Sequence, residues 1–473
     1  MLFNSIAFAL FLPSVFMLYW FVFNKNLKLQ NVFLVVVSYI FYGFWDWRFL
    51  FLIALTTLLS YLSGLFIPKS SHAKWICAGN ILVNLFILGL FKYFNFFSEN
   101  LQRLFEWAGY SLDWVTLDIL LPVGISFYTF QALSYSIDVY KKKIEPTRDV
   151  VSFFAFVSFF PQLVAGPIER ATHLLPQFYV RRNFSYSDSV EGLRQMLWGF
   201  FKKMVIADSC APVVSTLFAD PGAFHGSSLA IGAVLFTFQI YGDFSGYSDI
   251  AIGVAKLFGF QLMRNFNYPY FSVNIADFWR RWHISLTTWF RDYVYIPLGG
   301  SRVSKPKVVR NTFIIFLVSG FWHGANWTFI AWGLYHALLF LPLLLLGKNR
   351  KDAHPLSMNV KTYVHMICTF ILVTIGWIIF RSANLEECAF YMKHLFSLSL
   401  FSLPDREILV FDTMIAFVAI VVLLGIEWKS RTQDFILRFP SLPRAVRWGI
   451  YLGFAILCFL SYKEHQDFIY FQF

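Results

Sequence analysis

Charged residues are scarce in this sequence, and their scarcity excludes an ordinary soluble protein. Only 14% of the 473 residues are charged, whereas 58% are hydrophobic and 21% are aromatic. The mean hydropathy is +0.58, and so apolar a composition is typical of chains that reside in a membrane. Because a helix satisfies its own backbone groups in lipid, we expect an all-α polytopic membrane protein.

The cysteines are few, and their positions follow no pattern that would indicate a site. Cys77, Cys210, Cys368, Cys388 and Cys458 show neither a CxxC motif nor a Cys/His ligand spacing. The sequence therefore predicts no disulfide framework and no metal site.

We expect neither a cleavable leader nor an internal repeat. The first residues, "MLFNSIAFALFLPSVFMLYWFVF", have no basic n-region and no small-residue cleavage site, so we expect a retained first span. Without a fixed-period repeat or a low-complexity segment, residues 1–473 are expected to form one integral domain. Its motif-bearing core covers about 119–346, and less specific C-terminal spans cover 360–462.

Long apolar stretches recur along the chain. About nine are long enough to cross a hydrocarbon core of roughly 30 Å, near residues 5–23, 30–45, 49–67, 75–94, 119–140, 229–257, 360–380, 407–426 and 446–462. Shorter or interrupted stretches lie near 150–165, 193–209, 278–298 and 312–346. Interrupted helices are tolerated at membrane depth only where they line an enclosed cavity. The middle of the chain is therefore predicted to surround a cavity.

The distribution of basic residues predicts the orientation. The loops "NKNLK", "PKSSHAK" and "KKKIEPTR" follow the first, third and fifth spans, whereas the loop at 97–118 is acidic. The positive-inside rule then places the N-terminus outside and residues 141–148 in the cytoplasm. Basic segments at 301–310 and 347–351 bracket the interrupted stretch, so an even number of crossings is expected between them.

A histidine lies within that stretch, in the sequence "SGFWHGANWTF" at 319–329. An ionisable residue inside a membrane is costly, which makes His323 a candidate functional residue. Counting about 1.5 Å per residue from Asn311 puts it roughly 18 Å deep, near the midplane. Gly320 and Gly324 flank it as candidate helix breaks. The alternative, a histidine satisfied by a neighbouring helix, remains open at this stage.

The neighbours of His323 favour a site. On a helix Asn326 lies about 60° away, placed to hydrogen-bond one ring nitrogen, and Trp322 and Trp327 are placed to shield the ring. His336 lies about 140° around the same helix, so we interpret it as a packing residue.

A second histidine lies in "DFWRRWHISLTTWFRDY", residues 277–293. As one helix, this stretch has an apolar stripe (Phe278, Trp282, Leu286, Trp289, Tyr293) and a polar stripe (Asp277, Arg281, Ser285, Thr288, Asp292). The pattern is typical of an interfacial helix with arginines on lipid phosphates. His283 falls between the stripes and is expected to point from the interface into the cavity.

These motifs resemble those of a known family. Residues 277–302, "DFWRRWHISLTTWFRDYVYIPLGGSR", followed by 319–338, "SGFWHGANWTFIAWGLYHAL", are similar to the paired signature of the membrane-bound O-acyltransferases. Four further segments resemble its bacterial branch in family order: 121–140, 160–170, 198–208 and 241–260. "RDYVYIPLGGSR" resembles the alginate O-acetyltransferase subfamily more than the teichoic acid D-alanyl transferases.

The resemblance implies about eleven transmembrane helices, with re-entrant or interfacial helices, around a central funnel and tunnel. It implies His323 as the catalytic residue and His283 as the second active-site residue. Asn326 and Trp322 are candidate substrate contacts. Five cations are candidate contacts to donor phosphates: Arg280, Arg281, Arg291, Lys202 and Lys203.

The resemblance also implies the substrates. The donor is a cytoplasmic acyl thioester, acetyl-CoA, used as a co-substrate with no bound cofactor. The acceptor is a hydroxyl outside a bacterial cytoplasmic membrane, on an exported or cell-surface polysaccharide or on a serine-dependent periplasmic partner. Membrane lipid is a further partner, and nucleic acid is not expected.

The expected chemistry suits histidine, whose ordinary pKa allows it to act as a base near neutral pH. A tunnel would position the substrates and exclude water from the thioester. His283 would either polarise the thioester carbonyl or orient the acceptor. D-alanyl transfer from a carrier protein, a glycan or lipid transporter and a non-catalytic scaffold remain as alternatives, although no repeat of the transporter kind is present.

Overall fold

The fold is given by a computed structural model that describes residues 1–110, 120–349, 359–408, 410–431, 437–463 and 468–469. Within those ranges the regular secondary structure is helical and contains no strand, which confirms the predicted all-α class. The predicted acidic loop at 97–118 and the basic segment at 347–351 lie partly outside them.

Two compact units share the chain, one formed by residues 1–193 and 251–263 and the other by 194–250 and 264–473. The prediction of one integral domain is not tested by this division and stays a prediction. The helices of the first unit are α1 (Ile6–Met17), α2 (Leu27–Gly43), α3 (Phe49–Phe66), α4 (Ala73–Trp107), α5 (Ile125–Tyr140), α6 (Val150–Ser158) and α7 (Ala171–Leu174).

The remaining helices carry the chain into the second unit and through it. They are α8 (Tyr186–Phe200), α9 (Asp208–Ala219), α10 (Gly226–Leu257), α11 (Ile275–Arg281), α12 (Ile284–Phe290), α13 (Lys305–His323), α14 (Trp327–Leu345), α15 (Val360–Arg381), α16 (Leu385–Leu395), α17 (Phe411–Ser430) and α18 (Arg444–Leu460). π-Helical turns cover Leu18–Val22, Phe201–Ala207 and Arg291–Tyr295. Short 3₁₀ turns cover Ile67–Lys69, Leu175–Phe178, Pro221–Ala223, Pro269–Phe271, Leu398–Phe401 and Arg406–Ile408.

Six helical stretches in the described ranges are long and apolar enough to cross a membrane: Phe49–Lys69, Ala73–Trp107, Gly226–Leu257, Trp327–Leu345, Val360–Arg381 and Phe411–Ser430. Two shorter apolar stretches, Ile6–Val22 and Leu27–Gly43, precede them. These helices, with the family relationship given below, confirm a multi-pass membrane protein. The expected total of about eleven spans, the orientation and the midplane depth of His323 stay predictions.

Helices α13 and α14 form an antiparallel hairpin joined by the short link 324–326. Their backbones touch at two glycines: a Cβ on Gly333 would lie 2.5 Å from the carbonyl oxygen of Phe316, and one on Gly320 would collide with the backbone of Phe329. Small residues allow such close approach between membrane helices. This hairpin has the geometry that an even number of crossings requires.

The break after α13 lies at one of the two glycines that were predicted as candidate breaks. Helix α13 continues through Gly320 and ends at His323, and Gly324 follows in an extended conformation with φ −172°. The prediction of a break at Gly324 is therefore confirmed. The prediction for Gly320 is wrong, because this glycine serves the packing against α14.

The predicted single helix over 277–293 is also wrong. The chain leaves α11 at Arg281, and His283 adopts the left-handed conformation, with φ 44° and ψ 54°, before α12 begins. A non-glycine residue held there costs about 1–3 kcal/mol and persists only where its surroundings fix it. His283 nevertheless lines a cavity, as expected, together with members of both predicted stripes.

Candidate active site

One cavity of about 590 Å³ in the second unit brings most of the predicted site residues together. Apart from the two lysines, which are described below, five of the seven candidates line it: His283, His323, Arg280, Arg281 and Arg291. The two histidines are 40 positions apart in the sequence and meet because the break before α12 and the end of α13 face the same space. A concave site with a few convergent polar groups is the usual form of a substrate pocket.

His283 is almost completely buried at the break, with 1% of its surface exposed. The Phe244 ring packs edge-on against it with a centroid distance of 4.6 Å, and its Nδ1 lies 3.0 Å from Oδ1 of Asn265. Burial, and secondarily the charge of His323, lower the pKa of His283 well below its usual value of 6.5. The ring is therefore neutral near neutral pH, as an acceptor or a base must be.

His323 occupies the last position of α13 and is enclosed by aromatic rings. Its centroid lies 5.0 Å from Trp322, 5.2 Å from Trp332 and 5.3 Å from Phe380, each in an edge-on arrangement. These rings hold the imidazole at the end of its helix, and the cavity reaches its remaining side. The aromatic enclosure also limits access of water.

Trp322 and Asn326, the other two candidates, do not line the cavity. Trp322 is buried and contacts both imidazoles, with its centroid 6.0 Å from His283 and 5.0 Å from His323. Asn326 caps α14: its Oδ1 accepts from the Thr328 N–H, and its Nδ2 donates to the Ala383 carbonyl at 2.6 Å. Because α13 ends at His323, Asn326 no longer shares a helix with it, and these two bonds of Asn326 serve the start of α14 and Ala383.

The three arginines give the cavity a positive wall. Arg281 Nε lies 3.0 Å from Oδ2 of Asp277 and Arg280 lies 3.5 Å from Oδ1 of the same carboxylate. Arg291 pairs with Asp292 at 2.7 Å. Among these described residues of the wall the cations outnumber the carboxylates, which favours an anion there.

The two predicted lysine contacts are already neutralised within the second unit. Lys202 Nζ lies 2.5 Å from Asp249, and Lys203 Nζ lies 2.8 Å from Asp208 and 2.7 Å from Asp243. Both lysines are buried. Breaking a buried pair leaves an uncompensated charge, so the prediction that they contact a phosphate is not supported by this geometry.

Sequence reasoning missed two residues that shape the site. Asn265, from "RNFNYPY", holds the His283 ring, and Trp279 lines the cavity. Trp279 fell within the predicted interfacial helix but on neither of its stripes. Asn265 lies 18 residues before His283 in an irregular segment, where no periodic pattern indicates its contact.

Comparison with known proteins extends these observations. The family model of the membrane-bound O-acyltransferases (MBOAT) matches residues 80–386. Over 411 residues the chain is 42% identical to the probable alginate O-acetylase AlgI of Azotobacter vinelandii, which covers 86% of this chain and 80% of that protein. It is 36% identical over 440 residues to the peptidoglycan O-acetyltransferase of Helicobacter pylori, covering 84% and 80%.

Similarity to proteins of the D-alanyl type is lower. The teichoic acid D-alanyltransferase of Bacillus subtilis is 30% identical over 273 residues, which amount to 54% of this chain and 68% of that protein.

Proposed function

The chain belongs to the membrane-bound O-acyltransferase family and is an O-acyltransferase, and from this membership we propose that it acetylates a polysaccharide. Acetyl-CoA in the cytoplasm is the donor, and a hydroxyl of an exported or cell-surface polysaccharide is the final acceptor. The names of the relatives, which refer to alginate and to peptidoglycan, support this class of acceptor. The D-alanyl alternative has weaker support, because its relative matches a smaller part of the chain.

The observation that carries the proposal is that two histidine side chains and a wall of arginines line one cavity. His323 is the general base. It removes the acceptor hydroxyl proton as the hydroxyl oxygen attacks the thioester carbonyl carbon. A C–O bond forms, the C–S bond breaks, and the imidazolium returns the proton to the leaving CoA thiolate. Protons and electrons balance without a further reactant.

The arginines are assigned to the donor. CoA carries phosphates, and guanidinium groups bind phosphate through paired, charge-assisted hydrogen bonds. Arg280 and Arg281 line the same cavity as His283 and His323, so phosphates held by these arginines would leave the pantetheine arm of CoA to carry the thioester along the cavity to the histidines. Arg291, with 57% of its side chain exposed, lies at a more open part of the wall.

The two substrates come from opposite faces of the bacterial cytoplasmic membrane. Basic segments at 301–310 and 347–351 place the open ends of the α13–α14 hairpin in the cytoplasm by the positive-inside rule, and His323 lies at the other end of α13. The acetyl group thus enters from the cytoplasm and leaves on the outer side. A serine-dependent periplasmic partner either receives it there or is bypassed by direct transfer to the glycan.

The test is replacement of His323 by Ala. We expect loss of acetate that mild alkali releases from cell-surface glycan, with normal abundance of the protein in the membrane. His394→Ala is the matched control, because His394 is an exposed histidine on α16 whose ring contacts only its own helix among the described residues. Near-normal acetylation by an abundant His323→Ala variant would refute the catalytic assignment.

A further inference from the structure

The break between α11 and α12 is bridged by a segment from elsewhere in the chain. The N–H of Asn267 donates to the Arg281 carbonyl at 2.9 Å, and the N–H of Ile284 donates to the Asn265 carbonyl at 2.8 Å. Residues 265–267 therefore satisfy backbone groups on both sides of His283. Such bonds stabilise the left-handed conformation that His283 adopts.

The side chain of Asn265 makes a second set of bonds at the same place. It is fully buried, and its Oδ1 accepts from the N–H of Ser285 at 3.3 Å and from the Ser285 hydroxyl at 2.9 Å. Its Nδ2 donates to the Ser248 hydroxyl at 3.2 Å. Because a backbone N–H can only donate, the Asn265 atom that faces Ser285 must be the oxygen. The orientation of this amide is thus fixed.

We propose that Asn265 is a positioning residue that fixes the tautomer of His283, with the proton on Nδ1 and the lone pair on Nε2. The argument is one of donor and acceptor matching: Nδ1 lies 3.0 Å from an oxygen that only accepts, so the ring must donate there. The lone pair then lies on Nε2, which is directed away from Asn265. The tautomer of a functional histidine is usually set in this way, by a hydrogen bond at the ring nitrogen that does not face the substrate.

This tautomer decides between the two roles open to His283 and so deepens the proposed function, on which it rests. A neutral ring with its lone pair on Nε2 accepts a hydrogen bond and cannot donate one from that nitrogen. His283 therefore orients the acceptor hydroxyl and does not polarise the thioester oxygen. Proton removal is left to His323.

A neutral amide serves this purpose better than a carboxylate would. A carboxylate beside the ring would stabilise the imidazolium and raise its pKa by about one to three units, and a protonated ring could not accept from the hydroxyl. Burial lowers the pKa of His283, and His323, on α13, lowers it further through its charge. Asn265 fixes the proton position without opposing that effect.

The variant Asn265→Asp tests this assignment. It keeps the shape and the accepting oxygen but adds a charge beside Nδ1. In native membranes, transfer of labelled acetyl groups from acetyl-CoA to glycan is followed as a function of pH. The charge should raise the pKa of His283 by about one to three units. Because activity needs both His283 and the base His323 to be neutral, we expect the acidic limb of the rate profile to steepen or to move upward. Asn274→Asp is the matched control: it adds the same charge at the N-cap of α11, where Asp caps as well as Asn, and should leave the limb in place.

A second variant removes the bond altogether. Asn265→Leu frees the tautomer, and we expect a fall in kcat on the order of 100-fold or more with the KM for acetyl-CoA within about threefold of wild type. Wild-type rates in Asn265→Leu, or an acidic limb of unchanged position and slope in folded Asn265→Asp, would overturn the positioning role. Activity in His283→Ala would instead overturn the use of this ring in the proposed function, so the two failures are distinguishable.

Discussion

Substituting Gly333 by Ala tests whether the α13–α14 contact sets the position of His323. The new Cβ would lie 2.5 Å from the Phe316 carbonyl oxygen, whereas ordinary contact begins at 3.4 Å. The helices must therefore separate by roughly 0.9 Å, the difference between these two distances. Such overpacking costs about 1–3 kcal/mol, partly offset by the better helix propensity of Ala, worth about 1 kcal/mol.

The effect on activity should exceed the effect on stability. A misplacement of about 1 Å at a reacting group lowers rates about 100-fold, equivalent to about 2.7 kcal/mol in the barrier. Acetyl transfer per folded molecule and the thermal midpoint in detergent measure the two effects separately. Gly449→Ala on α18 is the control, since its Cβ meets no atom within 4 Å, and it should be neutral or slightly stabilising. Wild-type activity in Gly333→Ala would show that the hairpin contact does not position His323.

Two further predictions concern the donor and the passage. Arg281→Gln should raise the KM for acetyl-CoA about tenfold, because a charged hydrogen bond contributes about 1.5–3 kcal/mol. Arg302→Gln, at an exposed arginine outside the cavity lining, should leave this KM unchanged. If donor titrations of membranes give Arg281→Gln the same KM as the wild type, Arg281 does not bind the donor, and the alternative that it contacts lipid headgroups is favoured. Ser319→Cys, at a position that lines the cavity, should react with a small thiol reagent in a background without the five native cysteines. Acyl-CoA added on the cytoplasmic face should protect this thiol from the reagent. Ser209→Cys, at a buried position on α9, is the unreactive control. If the Ser319→Cys thiol is as unreactive from both faces as this control, no passage runs through the site.

The site at His323 could be predicted because its structure is local. The glycine that follows it ends the helix, and the apolar sequence on both sides indicates two membrane-depth helices. The same reasoning is wrong for Asn326, because its angle to His323 assumes a continuous helix and Gly324 interrupts that helix. The residue that ends α13 also removes Asn326 from the ring and makes it the N-cap of α14.

The site at His283 could not be predicted in the same way because its conformation depends on distant residues. Periodicity favoured one continuous helix over 277–293, and nothing local opposes it. The break forms because Asn265 and Asn267 satisfy backbone groups on either side. The pairing of the two lysines could not be predicted for a related reason: Asp243 and Asp249, which pair with Lys203 and Lys202, lie far along the chain on α10, and composition alone cannot pair them.

The two histidine rings are therefore held in place by different kinds of contact. His323 is placed by helix packing, through the glycine contacts of α13 with α14, whereas His283 is placed by hydrogen bonds from an irregular segment. Trp322, which contacts both rings, is the common element. Packing tolerates little change in volume, and a buried polar network tolerates little change in its donors and acceptors. Substitutions that alter the packing should act through the position of His323, and those that alter the hydrogen bonds through the protonation and orientation of His283.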